Sequence, residues 1–485
     1  MTIPSYPSHF SRRRFLGSML GLAGSAAAPF ALNLAAMGQA AAQSADDYKA
    51  LVCLFLAGGN DSFNTVLATD SASWTEYLRL RNTGGNDSIH LPGVGETGGV
   101  LPVVPATAQA GRSFALHPAL GPMKDLFDGG RAAIVANVGT LIQPVTLAQY
   151  KAGSVALPPK LFSHNDQQST WQSGLPEGAT VGWGGRLGDL LGGGNANATF
   201  TAISAASNAL FLSGRQVRQF QVGQAGAVPI RNISGSGYLL GSPLGVSALR
   251  DIIGTAGSDM MEQEHVAVVQ RAIASQSVLS SAMLPAGAGG VPNPPPYVNP
   301  NTGVAGVNPL AVQLQTVARI IAGRGPLGAK RQVFYVTLGS FDTHDRQKVL
   351  HGDLMARLAH ALAYFDSTLA SLQGADVRRQ VTTFTASDFG RTFSSNGDGT
   401  DHGWGAHHFV VGGAVKGRDI YGAFPASGLG HELDVGSGAL LPTTSVDQYG
   451  ATLARWFGMA DSQLADVFPN IGNFGRRDLG FMTAT

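Results

Sequence analysis

Residues 332–338 (QVFYVTL) and 380–386 (QVTTFTA) are two apolar runs, and a segment with helical spacing lies between them. Within residues 352–372 the apolar side chains recur every three or four positions, which is typical of an amphipathic helix. The recurring residues are Leu354, Leu358, Leu362, Phe365, Leu369 and Leu372. Because a strand, a helix and a strand in this order form a crossover between parallel strands, the stretch predicts a parallel sheet.

Two other apolar runs extend this sheet. Residues 51–56 (LVCLFL) end at a Gly-Gly pair, and residues 132–138 (AAIVANV) follow a short predicted helix. Continuous apolar runs of this length are typical of strands that are buried on both faces. A capping box formed by Ser445 and Gln448 predicts one more helix. The sequence therefore predicts a three-layer α/β/α sandwich with a mostly parallel central sheet.

The middle of the chain has a different composition. Residues 199–330 contain short strand-like pieces, a predicted helix at 259–283 and a Pro/Gly-rich run at 285–309. We interpret this range as an inserted cap region on the sheet, with the Pro/Gly-rich run as a surface loop.

The start of the chain matches a twin-arginine export signal, SRRRFL at residues 11–16, with Arg12 and Arg13 as the pair. An uncharged stretch rich in Ala, Gly and Leu follows, and the alanines at 40–42 suit signal peptidase. A membrane anchor is the alternative, but Pro29 and the cleavage-like site favour a signal. We expect residues 1–42 to be the signal peptide and 43–485 to form an α/β domain that is periplasmic or secreted.

Composition limits the classes of partner. Charged residues make up 13% of the 485 residues and the formal net charge is +1. Without a basic stripe, nucleic acid is not an expected partner. The single cysteine, Cys53, excludes a disulfide framework and is expected in the core. Beyond the signal, the chain has no apolar stretch long enough for a transmembrane helix, so we do not expect the mature form to span a membrane.

Polar residues that could bind a metal follow three of the predicted strands. They are Asp61 after the first, Asp342 and His344 after the third, and Asp388 after the fourth, with Arg391 in the same loop as Asp388. The carboxyl ends of parallel strands share one sheet edge, where open α/β sheets bind their ligands. Three acidic loops that meet there would repel each other unless a cation lay among them. The pattern predicts a divalent metal ion, zinc first, with manganese, magnesium or calcium as alternatives.

Two further segments are rich in histidine. Residues 400–408 (TDHGWGAHH) contain His402, His407 and His408, and residues 161–169 (LFSHNDQQS) contain His164. The glycines around His402 permit close backbone approach, which favours a functional role for it. His407 and His408 are neighbours at the start of an apolar run, where successive side chains point in opposite directions, so at most one faces the site.

The candidates also have structural explanations, which the sequence leaves open. Asp61 could cap a helix, and His344 could be a histidine that only makes structural hydrogen bonds. Asp388 could pair with Arg391 within one turn.

Several long motifs, in order along the chain, are similar to those of one protein family. They are the twin-arginine start, FLAGGNDSFNTV, LFSHNDQQSTWQSG, GWGGRLGD, GSFDTH, SDFGRT and DHGWGAHHFVVGG. The chain thus resembles the exported bacterial family of unknown function within the alkaline phosphatase/sulfatase superfamily. The resemblance implies an alkaline-phosphatase-like sandwich with one or two metals at the carboxyl edge of the sheet. It also implies attack on phosphate or sulfate esters by a hydroxyl nucleophile.

The same resemblance implies a set of metal ligands. They are Asp61, Asp342, His344, Asp388 and His402. This chain departs from the superfamily pattern at two places. Phe389 replaces the histidine of an Asp-His dipeptide, which would remove a ligand from one metal site. The spacing of Asp342 and His344 is also shorter than in the superfamily, which puts the role of His344 in question.

The nucleophile is the least defined part of the resemblance. Phosphatases carry a nucleophilic hydroxyl at a helix start that corresponds to residues 166–171, and the sulfatase Cys/Ser-x-Pro-x-Arg motif is missing. A metal-activated water is the alternative, with a histidine relaying protons and an arginine neutralising an anionic substrate oxygen. The candidate catalytic residues are His164 as the relay, Asp166, Ser169, and Arg391 as the anion contact.

We therefore expect an exported, metal-dependent hydrolase that acts on a small anionic ester, phosphate or sulfate, or on a surface polysaccharide. The alternative is a catalytically inactive binding or assembly protein on the same scaffold, with an exported protein partner, because a fold alone does not decide function. A structural calcium site is a third hypothesis.

Overall fold

The structure is a computed structural model that describes residues 48–85, 88–224, 226, 239, 242–255, 257–288 and 290–484. The predicted signal peptide, residues 1–42, lies outside the described residues. Export and cleavage therefore stay predictions.

The strands of the described residues are numbered in chain order. They are β1 (Lys49–Leu56), β2 (Val66–Ala68), β3 (Leu101–Val103), β4 (Phe114–Leu116), β5 (Ala132–Gly139), β6 (Ala202–Ser204), β7 (Phe220–Gln221), β8 (Tyr297–Val298), β9 (Ala305–Gly306), β10 (Arg331–Leu338), β11 (Val381–Ser387), β12 (Ala406–Gly412), β13 (Ile420–Tyr421) and β14 (Thr444–Ser445).

The α-helices of the same residues are numbered separately. They are α1 (Ser71–Arg81), α2 (Gly121–Asp128), α3 (Leu147–Ala152), α4 (His164–Ser173), α5 (Trp183–Leu191), α6 (Pro243–Gly254), α7 (Met260–Ala282), α8 (Pro309–Ala322), α9 (Gln347–Leu369), α10 (Val446–Phe457) and α11 (Leu464–Val467).

In the part of the chain that the structure describes, nine strands form the central sheet, in the order β13-β5-β12-β11-β1-β10-β6-β7, with β14 also paired to β5. β10 and β11 both pair with β1 in parallel, so the predicted crossover through α9 passes over the strand that lies between them. Among the described strands of this sheet, only β12 runs in the opposite direction, antiparallel to both β11 and β5. The predicted mostly parallel sheet is confirmed.

Helices cover both faces of the sheet. Alternate residues of β1 point to opposite sides, as the period of a strand requires. Leu54 lies in a core with residues of α2, α8 and α9, whereas Cys53 and Phe55 lie in a second core with residues of α4, α5 and α10. The three-layer sandwich is confirmed, and so is the position of Cys53 in the core.

Part of residues 199–330 belongs to the sandwich itself. β6 pairs with β10, and α8 packs against α9. In contrast, α6 and α7 expose most of their residues, and α7 buries mainly Ser275 and Leu279. The limits of the inserted cap therefore stay a prediction. Among the described residues, no helix has the length and apolar character needed to cross a membrane.

The predicted capping box is present at the start of α10. Ser445 Oγ accepts a hydrogen bond from the backbone N–H of Gln448, and Gln448 Oε1 accepts one from the backbone N–H of Ser445. These two bonds satisfy N–H groups that a helix start would otherwise leave without a partner.

The sheet direction determines where the polar loops lie. β1, β5, β10 and β11 all end at one edge, and β12 begins there because it runs in reverse. The loops that follow β1, β10 and β11, and the loop that precedes β12, therefore meet at this carboxyl edge.

Candidate metal centre

Three side chains from distant parts of the chain converge at this edge. They are His164 in the first turn of α4, Asp342 after β10 and His402 before β12, and one ligand atom of each lies within 4.8 Å of the others. Asp342 Oδ2 is 3.5 Å from His164 Nε2, and Asp342 Oδ1 is 3.2 Å from His402 Nε2. We call these three residues the Asp342 centre.

Hydrogen bonds on the far side of both rings fix which nitrogen faces the centre. His402 Nδ1 is 2.7 Å from the carbonyl oxygen of Phe162, and His164 Nδ1 is 2.7 Å from Asp388 Oδ2. A carbonyl and a carboxylate only accept hydrogen bonds, so each Nδ1 carries the proton. In the neutral rings both Nε2 lone pairs therefore point at the centre, as in histidines that bind metals.

Asp388 lies behind His164 and not at the centre itself. Its side chain is fully buried, and it accepts hydrogen bonds from the backbone N–H of Gly58 (3.0 Å) and from Gln168 Nε2 (2.7 Å) as well as from His164. The sequence predicted a metal ligand here. In the structure Asp388 instead holds the Nδ1 side of His164, and it does not pair with Arg391.

His344 borders the centre on the solvent side. Its Nε2 lies 3.1 Å from Asp342 Oδ1 and 3.0 Å from His402 Nε2, and its side chain is 44% exposed. Its Nδ1 is 3.3 Å from Asp401 Oδ1, a longer contact than those that hold His164 and His402. The ring of His344 is therefore the least constrained of the three imidazoles.

Arg391 supports Asp342 from within the protein. Its side chain has no solvent exposure, and its Nη1 donates to Asp342 Oδ1 at 2.8 Å. Its other nitrogens donate to the hydroxyl and carbonyl oxygens of Thr400. The predicted contact between Arg391 and a substrate anion does not fit this burial, because its donors are already used.

An aromatic ring forms the floor of the centre. The Phe389 ring centroid lies 4.8 Å from that of His164 and 4.6 Å from that of His402. A Cβ atom on Gly59 would lie 2.5 Å from the Phe389 ring, and Gly59 has a φ of +86°, so glycine is required there. Phe389 thus occupies, with an apolar side chain, the position where the resemblance would place a histidine ligand.

Asp61 does not join the centre. It is fully buried and accepts hydrogen bonds from both terminal nitrogens of Arg81, from Gln347 Nε2 (2.6 Å) and from the backbone N–H of Phe63 (3.1 Å). Burial raises the pKa of Asp61, but the charge and hydrogen bonds of Arg81 outweigh it and the pKa is lowered. With four donors around its two oxygens, Asp61 has no free lone pair for a metal, so its predicted role as a ligand is corrected.

The predicted catalytic residues Asp166 and Ser169 also face away. Asp166 Oδ2 accepts a hydrogen bond from Ser163 Oγ at 3.0 Å, and Ser169 Oγ donates to the carbonyl oxygen of Pro176 at 2.8 Å. Thr170 bonds to the backbone of its own helix. These hydroxyls are used within and around α4, so none of them is placed as a nucleophile at the centre.

His407 and His408 are core residues. The sequence allowed one of them to face the site, but both are buried in β12. Burial lowers the pKa of each ring to about 3. Both are therefore neutral at physiological pH, and His407 Nδ1 accepts a hydrogen bond from the backbone N–H of Asn137.

The electrostatics of the Asp342 centre favour an ionised carboxylate. Burial raises the pKa of Asp342, but the hydrogen bond and charge of Arg391, followed by the nearby His344 and His164, lower it overall. The hydrogen bond to Asp388 raises the pKa of His164. Burial lowers the pKa of His402 and keeps that ring neutral.

The donor set fits a divalent cation. Two imidazole nitrogens and a carboxylate are ligands of zinc, with bonds of about 2.0–2.2 Å, which places tetrahedral ligand atoms about 3.3–3.6 Å apart. His164 Nε2 lies 3.5 Å from Asp342 Oδ2 and His402 Nε2 lies 3.2 Å from Asp342 Oδ1, so each imidazole faces a different oxygen of the carboxylate. One ligand atom of each residue lies within 4.8 Å of the others.

Two features of this site lie outside the sequence predictions. The sequence predicts His164 as a proton relay and not as a ligand candidate, and it predicts no role for Gln168. The signal was present, because His164 and Gln168 are four residues apart and lie on the same face of α4. The role of the Phe162 carbonyl had no sequence signal, since any residue supplies that oxygen.

A separate cavity of about 780 Å³ lies between α5, the segment before β7 and α7. Its lining includes Thr199, which precedes β6, and Val217, which precedes β7. Residues that precede parallel strands lie at the amino edge of the sheet, so this cavity is remote from the Asp342 centre.

The family model described as "Protein of unknown function (DUF1501)" matches residues 48–467, and the chain belongs to this family. No curated protein matches the sequence significantly.

Two solved structures have a similar course of the chain. One is Ps i-CgsB in complex with k-i-k-neocarrahexaose, at 9% identity and a TM-score of 0.34, covering 88% of this chain and 77% of that chain. The other is the PsFucS1 sulfatase from Pseudoalteromonas sp., at 9% identity and a TM-score of 0.34, covering 89% of this chain and 71% of that chain. These similarities are too weak to assign a function or a substrate.

Proposed function

We propose that this DUF1501 protein binds one divalent cation at the Asp342 centre and hydrolyses an anionic ester, a sulfate or a phosphate. The observation that supports it is the convergence of two imidazole lone pairs and an ionised carboxylate on one point. His164, Asp342 and His402 would hold the ion. Without a cation or an added proton, the lone pairs of these three groups would repel each other.

A divalent cation bound there would act as a Lewis acid and lower the pKa of a bound water to about 7. The protein residues would provide orientation. Asp388 keeps the Nδ1 proton of His164 on the far side of the ring, and Arg391 holds Asp342 Oδ1. Phe389 excludes water and further ligands from beneath the two rings, which limits the centre to one ion.

His344 is the residue we assign to proton transfer. It is half-exposed, it contacts Asp342, and its Nδ1 faces the carboxylate of Asp401. An imidazole beside a carboxylate can accept a proton at one nitrogen while the other stays hydrogen-bonded. This assignment replaces the earlier expectation for His164, whose Nε2 faces the cation site.

The substrate would be a small anionic ester or a surface polysaccharide that carries such groups. The half-exposed side chains of Asp342, His164 and His344 leave the centre open to solvent, which suits a substrate outside the protein. Export through the twin-arginine pathway is part of this proposal and rests on residues 11–16.

The second candidate function is a binding or assembly protein without catalysis. It is favoured by Phe389 at a position where the superfamily has a ligand, and by the hydroxyls of Ser163 and Ser169, which are used within the fold. An exported protein partner would then occupy the same edge.

Metal analysis tests the proposal. We expect purified protein to contain about one divalent ion per chain and Asp342→Asn combined with His402→Gln to lose it, because two of three ligands are removed. His265→Gln, which changes an exposed histidine of α7, is the matched control and should keep the metal. Full metal content in the double variant would overturn the assignment.

Activity separates the two candidate functions. A panel of sulfate and phosphate esters, tested with zinc, manganese and calcium, should include a substrate whose turnover is lost in His402→Gln and kept in His265→Gln. Stoichiometric metal without turnover of any ester would favour the binding protein.

A further inference from the structure

We infer that Gln347 is a positioning residue that braces both loops of the Asp342 centre, an inference that rests on the proposed metal site. Gln347 is the first residue of α9 and its side chain is fully buried. It does not contact His164, Asp342 or His402, so it would act through other residues.

The amide of Gln347 makes three hydrogen bonds whose directions are fixed by chemistry. Its Nε2 donates to Asp61 Oδ2 at 2.6 Å, because a carboxylate can only accept. Its Oε1 therefore faces the other way and accepts from the hydroxyls of Thr343 (3.1 Å) and Thr400 (2.5 Å). Asp61 thus sets the orientation of the whole amide.

The two hydroxyls come from the two loops that carry the centre. Thr343 stands between Asp342 and His344, and Thr400 stands two residues before His402. A single buried side chain therefore ties both loops together. The loops also pack closely, since a Cβ atom on Gly399 would lie 2.2 Å from the carbonyl oxygen of His344.

The hydrogen-bond network of Gln347 extends to the carboxylate of Asp342. Thr400 donates its hydroxyl proton to Gln347 Oε1. The Thr400 hydroxyl oxygen can therefore accept a hydrogen bond from Arg391 Nε, at 3.2 Å. This contact aims Arg391 Nη1 at Asp342 Oδ1. Buried networks in which every donor and acceptor is used hold their members in one arrangement. The fixed path runs from Asp61 through Gln347, Thr400 and Arg391 to Asp342.

Two substitutions remove hydrogen bonds of Gln347 without changing a proposed metal ligand. Gln347→Met keeps the size of the side chain but removes the amide, and Thr400→Val keeps the shape but removes the hydroxyl. Thr400→Ser restores the hydroxyl and is the rescue variant. Thr316→Val is the matched control, because Thr316 is an equally buried threonine of α8 that bonds only to its own helix.

The first measurement is metal affinity, by competition with a chelator well below the unfolding temperature of each variant. We expect Gln347→Met and Thr400→Val to bind zinc or cobalt about 10- to 100-fold more weakly, the usual effect of losing residues that orient ligands. The absorption spectrum of bound cobalt should change in both variants. Thr400→Ser and Thr316→Val should retain the parent affinity and spectrum. Parent affinity in Gln347→Met and Thr400→Val would overturn the inference.

The second measurement needs no metal. In chelator-treated protein, amide hydrogen exchange in residues 340–346 and 398–404 should be faster in Gln347→Met and Thr400→Val than in Thr316→Val. Equal exchange rates in all three variants would show that Gln347 does not hold the two loops together. If the parent protein binds no metal, the proposed function fails, while the exchange result still decides whether Gln347 holds the loops.

Discussion

Two aspartates follow parallel strands at the same sheet edge and have opposite surroundings. Asp61, after β1, has no solvent exposure and four hydrogen-bond donors, two of them from Arg81. Asp342, after β10, is 43% exposed, and its carboxylate faces the Nε2 atoms of His164 and His402. The first carboxylate is satisfied by the protein, whereas the second faces lone pairs that a cation would satisfy.

The difference shows that a position at the carboxyl edge is not enough to make an aspartate a ligand. In the sequence Asp61, Asp342 and Asp388 are equivalent candidates because each follows a strand. What separates them is the number of protein donors that reach each carboxylate. Asp61 and Asp388 are each held by several, and only Asp342 keeps an open side.

The strongest effect is expected from removing Asp61, the aspartate whose oxygens are all hydrogen-bonded. Asp61→Ala should lower the free energy of unfolding by about 3–5 kcal/mol, because it leaves the buried charge of Arg81 without a partner. Denaturant unfolding measures the loss. Arg81→Met and the double variant complete a cycle, in which the two losses should be strongly non-additive.

The same variant distinguishes a metal ligand from a residue that acts through its neighbours. Folded Asp61→Ala protein at low temperature should still bind a divalent metal, about 10- to 100-fold more weakly, because Gln347 loses the carboxylate that orients its amide. No binding at a saturating metal concentration would show that Asp61 is itself a ligand.

A smaller effect is expected from His351, which contacts Asn60 beside Asp61. Burial lowers the pKa of His351 from 6.5 to about 4, against the charge of Asp61, which raises it. The unfolded chain therefore takes up a proton before the folded protein does. The contribution of neutral His351 to the free energy of unfolding is complete above pH 6.5. As the pH falls toward 4 this contribution is lost, and the free energy of unfolding drops by about 3 kcal/mol.

The His351→Gln variant tests this pH dependence. Its free energy of unfolding should fall less steeply between pH 6.5 and pH 4. The slope against pH should correspond to about one proton fewer taken up on unfolding than in the parent protein. An unchanged slope in His351→Gln would mean that the polar layer around Asp61 is open to water.

The smallest effect concerns the residue that orients His164. Asp388→Asn should weaken metal binding about 10- to 100-fold, because an amide nitrogen facing His164 Nδ1 would favour the wrong tautomer. Chelator competition measures the change, and Gln168→Ala, which removes only a neighbour of Asp388, should have a smaller effect. Equal affinity in Asp388→Asn would place Asp388 outside the function of the centre.

Much of the fold could be predicted because hydrophobic periodicity is a local property. The runs at 51–56 and 332–338 and the helical spacing of α9 led to the correct layers and the mostly parallel sheet. The reversal of β12 could not be predicted, since an apolar run reads the same in either direction. His402 still reached the carboxyl edge, because an antiparallel strand begins where its neighbours end.

The gathering of acidic and histidine-bearing loops at one edge of a parallel sheet follows from strand order and direction, and the sequence pattern is enough to predict it. Which of these side chains are already paired depends on the three-dimensional packing. Asp61 is held by Arg81, 20 residues away, and by Gln347, 286 residues away, and His164 is held by Asp388, 224 residues away. Hydrogen bonds act over about 3 Å, so their partners depend on packing between distant segments and not on local pattern.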